Sequence, residues 1–227
     1  MDWTEWHELY ELSPSLTARL MLVRAHITRH LDTAPAGPIR ILSVCAGDGR
    51  DLIAALSDHP RAGDVRARLV ELDAGLAGRG REMADTAGLS ESLDFVAADA
   101  TAASAYRGFA PADLVLACGV FGNVRKADTP RLVESLASLC TRGGSLTWTR
   151  RLATPLARGR AGASGGGPGA DAVTIQSLLR QRSFVEVQLD RTPDGVFLVG
   201  TCRHDADPHP LPADERPLFV FTGGLAR

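Results

Sequence analysis

"ILSVCAGDGRDL", residues 41–52, opens apolar, breaks into two glycines at Gly47 and Gly49, and then turns charged. A chain avoids paired glycines unless its backbone must take a conformation that a Cβ forbids, or must lie against something. The stretch reads as a buried strand, Ile39 to Val44, ending in Ala46-Gly47-Asp48-Gly49 and passing into a helix from Arg50 to Ser57. At such a junction the backbone can approach a ligand closely, and the helix N-terminus offers free N–H groups. A plain glycine turn satisfies the same pattern, so its meaning depends on what accompanies it.

Outward from this turn the chain alternates between strand and helix. Arg68 to Leu72 predicts a strand, Ala74 to Ala87 a helix closed by Gly88, and Leu93 to Val96 a short strand. Asp113 to Ala117 is a further apolar strand. Thr129-Pro130 opens a helix reaching about Cys140, with Leu132, Val133, Leu136 and Leu139 inward. Gly143-Gly144 then predicts a turn before a strand from Ser145 to Arg150. A helix from Ala172 to Gln181 precedes "SFVEVQL" and "VFLVGTC", a hairpin with Asp194-Gly195 in its turn. This order predicts an α/β fold, Rossmann-like and doubly wound. Its sheet is seven-stranded, mostly parallel, and ends in an antiparallel C-terminal hairpin.

Three segments surround that core. Residues 1–38 form an N-terminal helical segment, a candidate lid over the pocket: Trp3, Trp6 and Tyr10 share one helical face, and Ser13-Pro14 starts an amphipathic helix through Leu16, Leu20, Val23, Ile27 and Leu31. Residues 39–203 hold the alternating elements, and 204–227 are a Pro-rich tail whose "PLFVFTGG" is too apolar to stay solvated. That tail is expected to pack on its own sheet or on a neighbouring subunit. Between the fifth strand and the next helix, residues 159–169 carry six glycines and read as a flexible loop at the pocket's end.

Composition narrows the function. The 227 residues are 44% hydrophobic and 23% charged, with a net charge of −2, and Lys occurs only at Lys126. Without a basic block, binding to a nucleic-acid backbone is not indicated. No apolar stretch reaches membrane-spanning length. Cys45, Cys118, Cys140 and Cys202 are scattered, with no metal-ligand spacing and no disulfide framework, so no metal is expected. Buried free thiols and an acidic, aromatic N-terminus unlike a signal peptide point to a cytoplasmic location.

The companions of the glycine turn give it meaning. "ARLVELD" ends in Glu71, 22 residues after Gly49, with Leu72 beside it and Asp73 placed to cap the next helix. A carboxylate at the end of the second strand can accept both ribose hydroxyls of an adenosine. "FVAADAT" puts Asp99 where an adenine amino group could donate, and the Ala100 N–H near a ring nitrogen. "LACGVFGNV" leaves small residues, Cys118 and Gly119, at the fourth strand's end. A nicotinamide dinucleotide site is the rival, but its third small residue would fall at position 52, which is Leu.

In this order and spacing the four stretches resemble class I S-adenosylmethionine-dependent methyltransferases, over about residues 39 to 203. "CAGDGRDL", "ARLVELD" and "PADLVLACGVFGNV" look like a bacterial, actinobacterial-type branch of them. The resemblance implies S-adenosylmethionine as cofactor, S-adenosylhomocysteine as product, and cofactor contacts from Ala46, Gly47, Asp48, Gly49, Glu71, Leu72, Asp99, Ala100, Cys118 and Gly119. One departure stands out. Ser43 and Cys45 fill the region where the family carries an acidic residue, so the cofactor's amino group falls to Asp48 or Asp51.

Methyl transfer from a sulfonium is an in-line displacement with a good leaving group, so alignment and desolvation matter more than a conspicuous catalytic side chain. Asn123 and Arg150 (with Arg151) lie at strand ends where an acceptor would sit, and His7 is a base only if its helix folds over the pocket. The expected acceptor is a small molecule, and a homodimer is the assembly considered. A cofactor-binding regulatory or partner subunit without catalysis is the alternative.

Overall fold

In the computed structural model, residues 13–152 and 170–222 are described. Seven strands, β1 (Ile39–Val44), β2 (Val65–Glu71), β3 (Leu93–Ala97), β4 (Ala112–Ala117), β5 (Cys140–Arg151), β6 (Phe184–Arg191) and β7 (Phe197–His204), form one sheet in the order β3-β2-β1-β4-β5-β7-β6. The first five pair in parallel, and β7 runs antiparallel to β5 and β6. Among the described residues, five α-helices flank the sheet: α1 (Pro14–Thr33), α2 (Arg50–Leu56), α3 (Ala74–Thr86), α4 (Thr129–Leu139) and α5 (Ala172–Gln181).

The central strands are apolar on both faces, which is why they read as continuous hydrophobic runs. Ile39 and Ile41 of β1 and Leu114 and Leu116 of β4 face α1, α2 and α3, packing against Val23, Ile27, Leu52 and Leu56. Their neighbours Leu42, Val44, Val115 and Ala117 face the opposite layer, with Leu132, Leu136, Ile175 and Leu179. Burying a Leu or Ile side chain is worth about 1.5–3 kcal/mol, so each layer locks its helices to the sheet.

Two differences from the sequence expectation have a physical cause. Gly143-Gly144 is not a turn: β5 begins at Cys140 and runs through it, with a register shift against β4 between Ala112 and Leu114. Gly143 has φ 81°, and a Cβ on Gly144 would stand 2.9 Å from the Asp113 carbonyl oxygen, so the strand survives there by hugging the β4 backbone. β2 also begins three residues early, at Val65, because its exposed Arg66 and half-buried Arg68 alternate with the buried Val65, Ala67 and Leu69.

Polar contacts fasten the outer pieces. His26 of α1 is buried, with Nδ1 2.8 Å from the Thr201 hydroxyl and Nε2 3.0 Å from Asp190 Oδ2; Thr201 in turn meets Thr147 at 2.8 Å. Past the end of α1, Arg61 Nη1 donates to the Ala34 carbonyl at 2.7 Å and Nη2 to that of Gly37 at 2.8 Å. The tail packs on its own chain. Leu218 and Phe219 are buried, the Leu218 N–H donates to the Thr101 carbonyl at 2.7 Å, and the Ser135 hydroxyl donates to the Leu218 carbonyl at 2.9 Å. Farther on, Phe221 bridges to Val124 and the Thr222 N–H reaches the Asn123 carbonyl at 2.8 Å. Trp3, Trp6, Tyr10 and residues 159–169 lie outside the described residues.

Two predictions follow from this packing. A Cβ on Gly80 of α3 would come within 2.3 Å of the Phe95 ring and 2.8 Å of the Asp48 carbonyl oxygen. Helix propensity favours Ala over Gly by about 1 kcal/mol, but overpacking costs about 1–3 kcal/mol. Because one of the obstacles is backbone, Gly80→Ala should lower the denaturation midpoint.

The second concerns pH. Burial lowers the His26 pKa from 6.5, against the opposing pull of Asp190 and with Arg29 adding to the lowering; burial also lowers His30, with Asp113 opposing and Arg61 reinforcing. Below about pH 6.5 the unfolded chain therefore binds more protons than the folded one, so stability is full above that pH and declines as pH falls. The melting temperature should drop between about pH 7.5 and about pH 5.5, with a shallower slope in His26→Gln.

Candidate functional site

The strand order reverses between β1 and β4, and in such sheets the crevice lies beyond the C-terminal ends of the strands at that point. Because β3, β2, β1 and β4 are consecutive neighbours, the four singled-out stretches line one edge in that order. At roughly 4.8 Å between strands they span about 14 Å.

The glycine turn is left-handed at three of five positions: Cys45 φ 56°, Gly47 φ 59° and Gly49 φ 67°. For Cys45 this conformation is strained by about 1–2 kcal/mol. A Cβ on Gly49 would lie 2.6 Å from Leu69 Cδ2 and 3.0 Å from Phe95 Cζ, so the bareness of Gly49 is used by the protein's own sheet. Gly47 is held differently. Its N–H donates to Glu71 Oε2 at 2.8 Å, while Glu71 Oε1 accepts the Asp73 N–H at 3.0 Å. One carboxylate thus ties the ends of β1 and β2 together, and each oxygen keeps a lone pair for a hydroxyl donor.

Next to Glu71, Leu72 leaves 55% of its surface exposed, an apolar side chain standing at the rim. Asp73 caps α3 through the Gly75 and Leu76 N–H groups. On β3's side, Asp99 Oδ1 accepts the Thr101 N–H at 2.8 Å in a local turn, and the buried Tyr106 hydroxyl donates to the Ala100 carbonyl at 2.7 Å. At the end of β4, Gly119 has φ 85° and donates its N–H to the buried Thr149 hydroxyl at 2.9 Å. The Asn123 side-chain amide donates to the Gly119 carbonyl at 3.0 Å, closing that turn and leaving Oδ1 as its accepting atom. Arg150 is buried at the end of β5, and a Cβ on Gly122 would lie 3.2 Å from its Nη1. Burial lowers the Arg150 pKa, with Asp171 opposing.

The two candidates for a cofactor's amino group separate. Asp48 is fully buried and gripped by Arg50, whose Nε lies 2.9 and 3.1 Å from its two oxygens. Asp51 accepts the Leu52 N–H at 2.8 Å and retains accessible surface; burial raises its pKa, against the Leu52 N–H and Arg19. Cys45 and Cys118 also retain surface, and burial pushes both thiols far up, keeping them neutral. His7 lies outside the described residues. Among the described residues no cluster of His, Cys, Asp or Glu is arranged to hold a metal.

Two surface depressions, of about 280 Å³ between Arg107 and Leu211 and about 210 Å³ between Arg81 and Phe95, lie away from this edge. Neither touches the glycine turn, Glu71 or Gly119. Sequence reasoning did not single out Arg50, Tyr106 and Thr149, which brace this edge. The Thr149 hydroxyl acts on a turn 30 residues away and the Tyr106 hydroxyl on a carbonyl six residues back, and neither left a readable sign.

No protein-family model and no curated protein matches the chain. Solved structures do. A magnesium protoporphyrin IX methyltransferase from Synechocystis PCC 6803 with bound SAH is 11% identical, with TM-score 0.71 over 89% of this chain and 94% of that one. The CurJ carbon methyltransferase is 15% identical, with TM-score 0.69 over 90% of this chain and 59% of that one. The [4+2]-cyclase SpnF is 15% identical, with TM-score 0.62 over 83% of this chain and 82% of that one. The class that fold and strand order define is thus the methyltransferase-like Rossmann fold.

The Glu71 bridge yields a prediction. Glu71→Ala strips two backbone N–H groups of a charged acceptor and should cost about 1.5–3 kcal/mol in urea unfolding. Glu71→Gln, which can keep one of the two bonds, should cost about half of that.

Proposed function

We propose that this chain binds S-adenosylmethionine across the edge formed by β3, β2, β1 and β4, and transfers its methyl group to a small-molecule acceptor. The observation that carries the reading is the side-by-side placement, in matching order, of Asp99, Glu71, the glycine turn and the Gly119 turn. The donor set suits the ligand. Asp99 can accept from an adenine amino group, and the exposed Leu72 can cover a ring face. Glu71 has acceptor capacity for two ribose hydroxyls. The left-handed turns at Gly47 and Gly119 bring backbone rather than side chains to the tail. When bound, the cofactor supplies an activated methyl group.

What the chain's own residues contribute is orientation and shelter. Thr149 and Asn123 hold the Gly119 turn, fixing the rim nearest the transferred group. Asn123 Oδ1 and the Arg150 guanidinium face the acceptor's side as orienting groups, with Arg150 suited to a carboxylate or phosphate. The neutral Cys118 fills space and is not a nucleophile. His7 stays a proposal for a base, and a cytoplasmic location remains part of this reading. The likeness to SpnF gives a second reading some weight, since one such fold carries the name of a cyclase: the cleft binds S-adenosylmethionine but methylates nothing.

Calorimetric titration of the full chain with S-adenosylmethionine and with S-adenosylhomocysteine tests the first step. Micromolar binding to wild type, lost in Glu71→Ala and weakened in Asp99→Asn, is the expected result. Absence of binding to both ligands by folded protein would end the reading. Binding with every panel acceptor left unmethylated would favour the second.

A further inference from the structure

β6 is an outer strand of the sheet, paired with β7 on one side only. It runs for eight residues, and three of the large apolar side chains exposed among the described residues stand on it: Val185, Val187 and Leu189, at 46%, 53% and 38%. An edge strand leaves a row of backbone donors and acceptors without partners, and native proteins either blunt such an edge or pair it.

The strand carries one extra residue. Its register against β7 shifts between Glu186, opposite Cys202, and Gln188, opposite Thr201, so Val187 forms a bulge. The side chains show the consequence. Glu186 accepts from the Gln176 amide of α5 at 2.7 Å, whereas Gln188 donates to Asp190 at 2.6 Å and Asp190 meets His26 of α1 at 3.0 Å. Glu186 thus faces the α5 layer, and Gln188 and Asp190 face α1. By alternation Leu189 and Arg191 return to the α5 side. A bulge ordinarily discourages pairing at an edge. Here, counted past Val187, the strand reads Glu186, Gln188, Leu189, Asp190, Arg191, an order symmetric about Leu189. An acid and a base stand at its ends on one face, an amide and a carboxylate inside them on the other, and a leucine in the middle.

We propose that β6 pairs antiparallel with β6 of a second copy of this chain, about a two-fold axis through Leu189, joining the two sheets edge to edge. Such an axis sets Glu186 opposite the partner's Arg191 and Arg191 opposite the partner's Glu186. Gln188 meets the partner's Asp190 on the α1 side, and the two Leu189 side chains meet at the centre. No like charges oppose each other. A register one residue shorter sets Glu186 against Asp190 and puts the faces out of step. So short a ladder is a small interface, and the dissociation constant should be on the order of micromolar. The inference rests on β6 alone and stands whether or not the chain binds S-adenosylmethionine.

Sedimentation velocity of the full chain, from about 1 µM to about 300 µM, tests it across the range expected of a weak contact. Wild type should pass from monomer to dimer as concentration rises. Glu186→Arg sets arginine against arginine and Arg191→Glu sets glutamate against glutamate, and each alone should raise the dissociation constant by about 10-fold or more. Mixing the two single variants should recover dimer, because every cross-strand pair then joins opposite charges. The double variant Glu186→Arg/Arg191→Glu should dimerise by itself for the same reason. These side chains are exposed, so melting temperatures should stay close to wild type. Wild type that stays monomeric across the range overturns the proposal. So does a dimer that survives both single reversals, since its interface would lie on another face. Dissociation in the single variants with no recovery on mixing overturns it as well, because the pairing would not be this one.

Discussion

The edge of this sheet depends on one carboxylate. Glu71 accepts the Gly47 N–H on one oxygen and the Asp73 N–H on the other. The glycine turn needs such a brace. With Cys45 strained and Gly47 and Gly49 also left-handed, the segment has little local preference for its shape. A charged acceptor from the neighbouring strand supplies what local propensity cannot. The same bond ties the end of β1 to the end of β2. Packing beneath completes the constraint: Leu69 and Phe95 press on Gly49, and Gly80 lets α3 close over the Asp48 carbonyl.

How much of this was legible follows from the range of each interaction. Strands buried on both faces write themselves as mostly apolar runs, so β1 and β4 stand out in "IRILSV" and "ADLVLA". The closing hairpin was readable because Asp194-Gly195 marks its turn. The start of β5 was not. Gly143-Gly144 is a turn signal locally, and only the nearness of the Ala112 and Asp113 carbonyls makes it a strand. The site divides in the same way. Glu71, Asp99 and Gly119 could be placed on one edge in advance because strand ends face one edge in any parallel sheet. Thr149 supports Gly119 from 30 residues away, and Tyr106 supports Ala100 from beneath; a hydroxyl in a sequence does not announce such a partner. Asp48 and Asp51 were equivalent on paper, and only the grip of Arg50 separates them.

The solved structures that share this fold differ in what their names say they do, and one is a cyclase. Fold therefore sets where a ligand can sit, and the side chains at the rim set what happens there. On this chain the side chains along that rim come from several layers: Asp51 from the helix after the glycine turn, and Asn123 and Arg150 from beyond β4 and the end of β5.

The C-terminal tail adds a mechanical consequence. Leu218 is pinned to Thr101, beside the Asp99 turn, and Thr222 to Asn123, beside the Gly119 turn. On a bare sheet these two loops would fluctuate independently, since they leave different strands. A few residues of peptide stitch them into a single hoop, so that loosening either end slackens both, and the rim breathes as one piece.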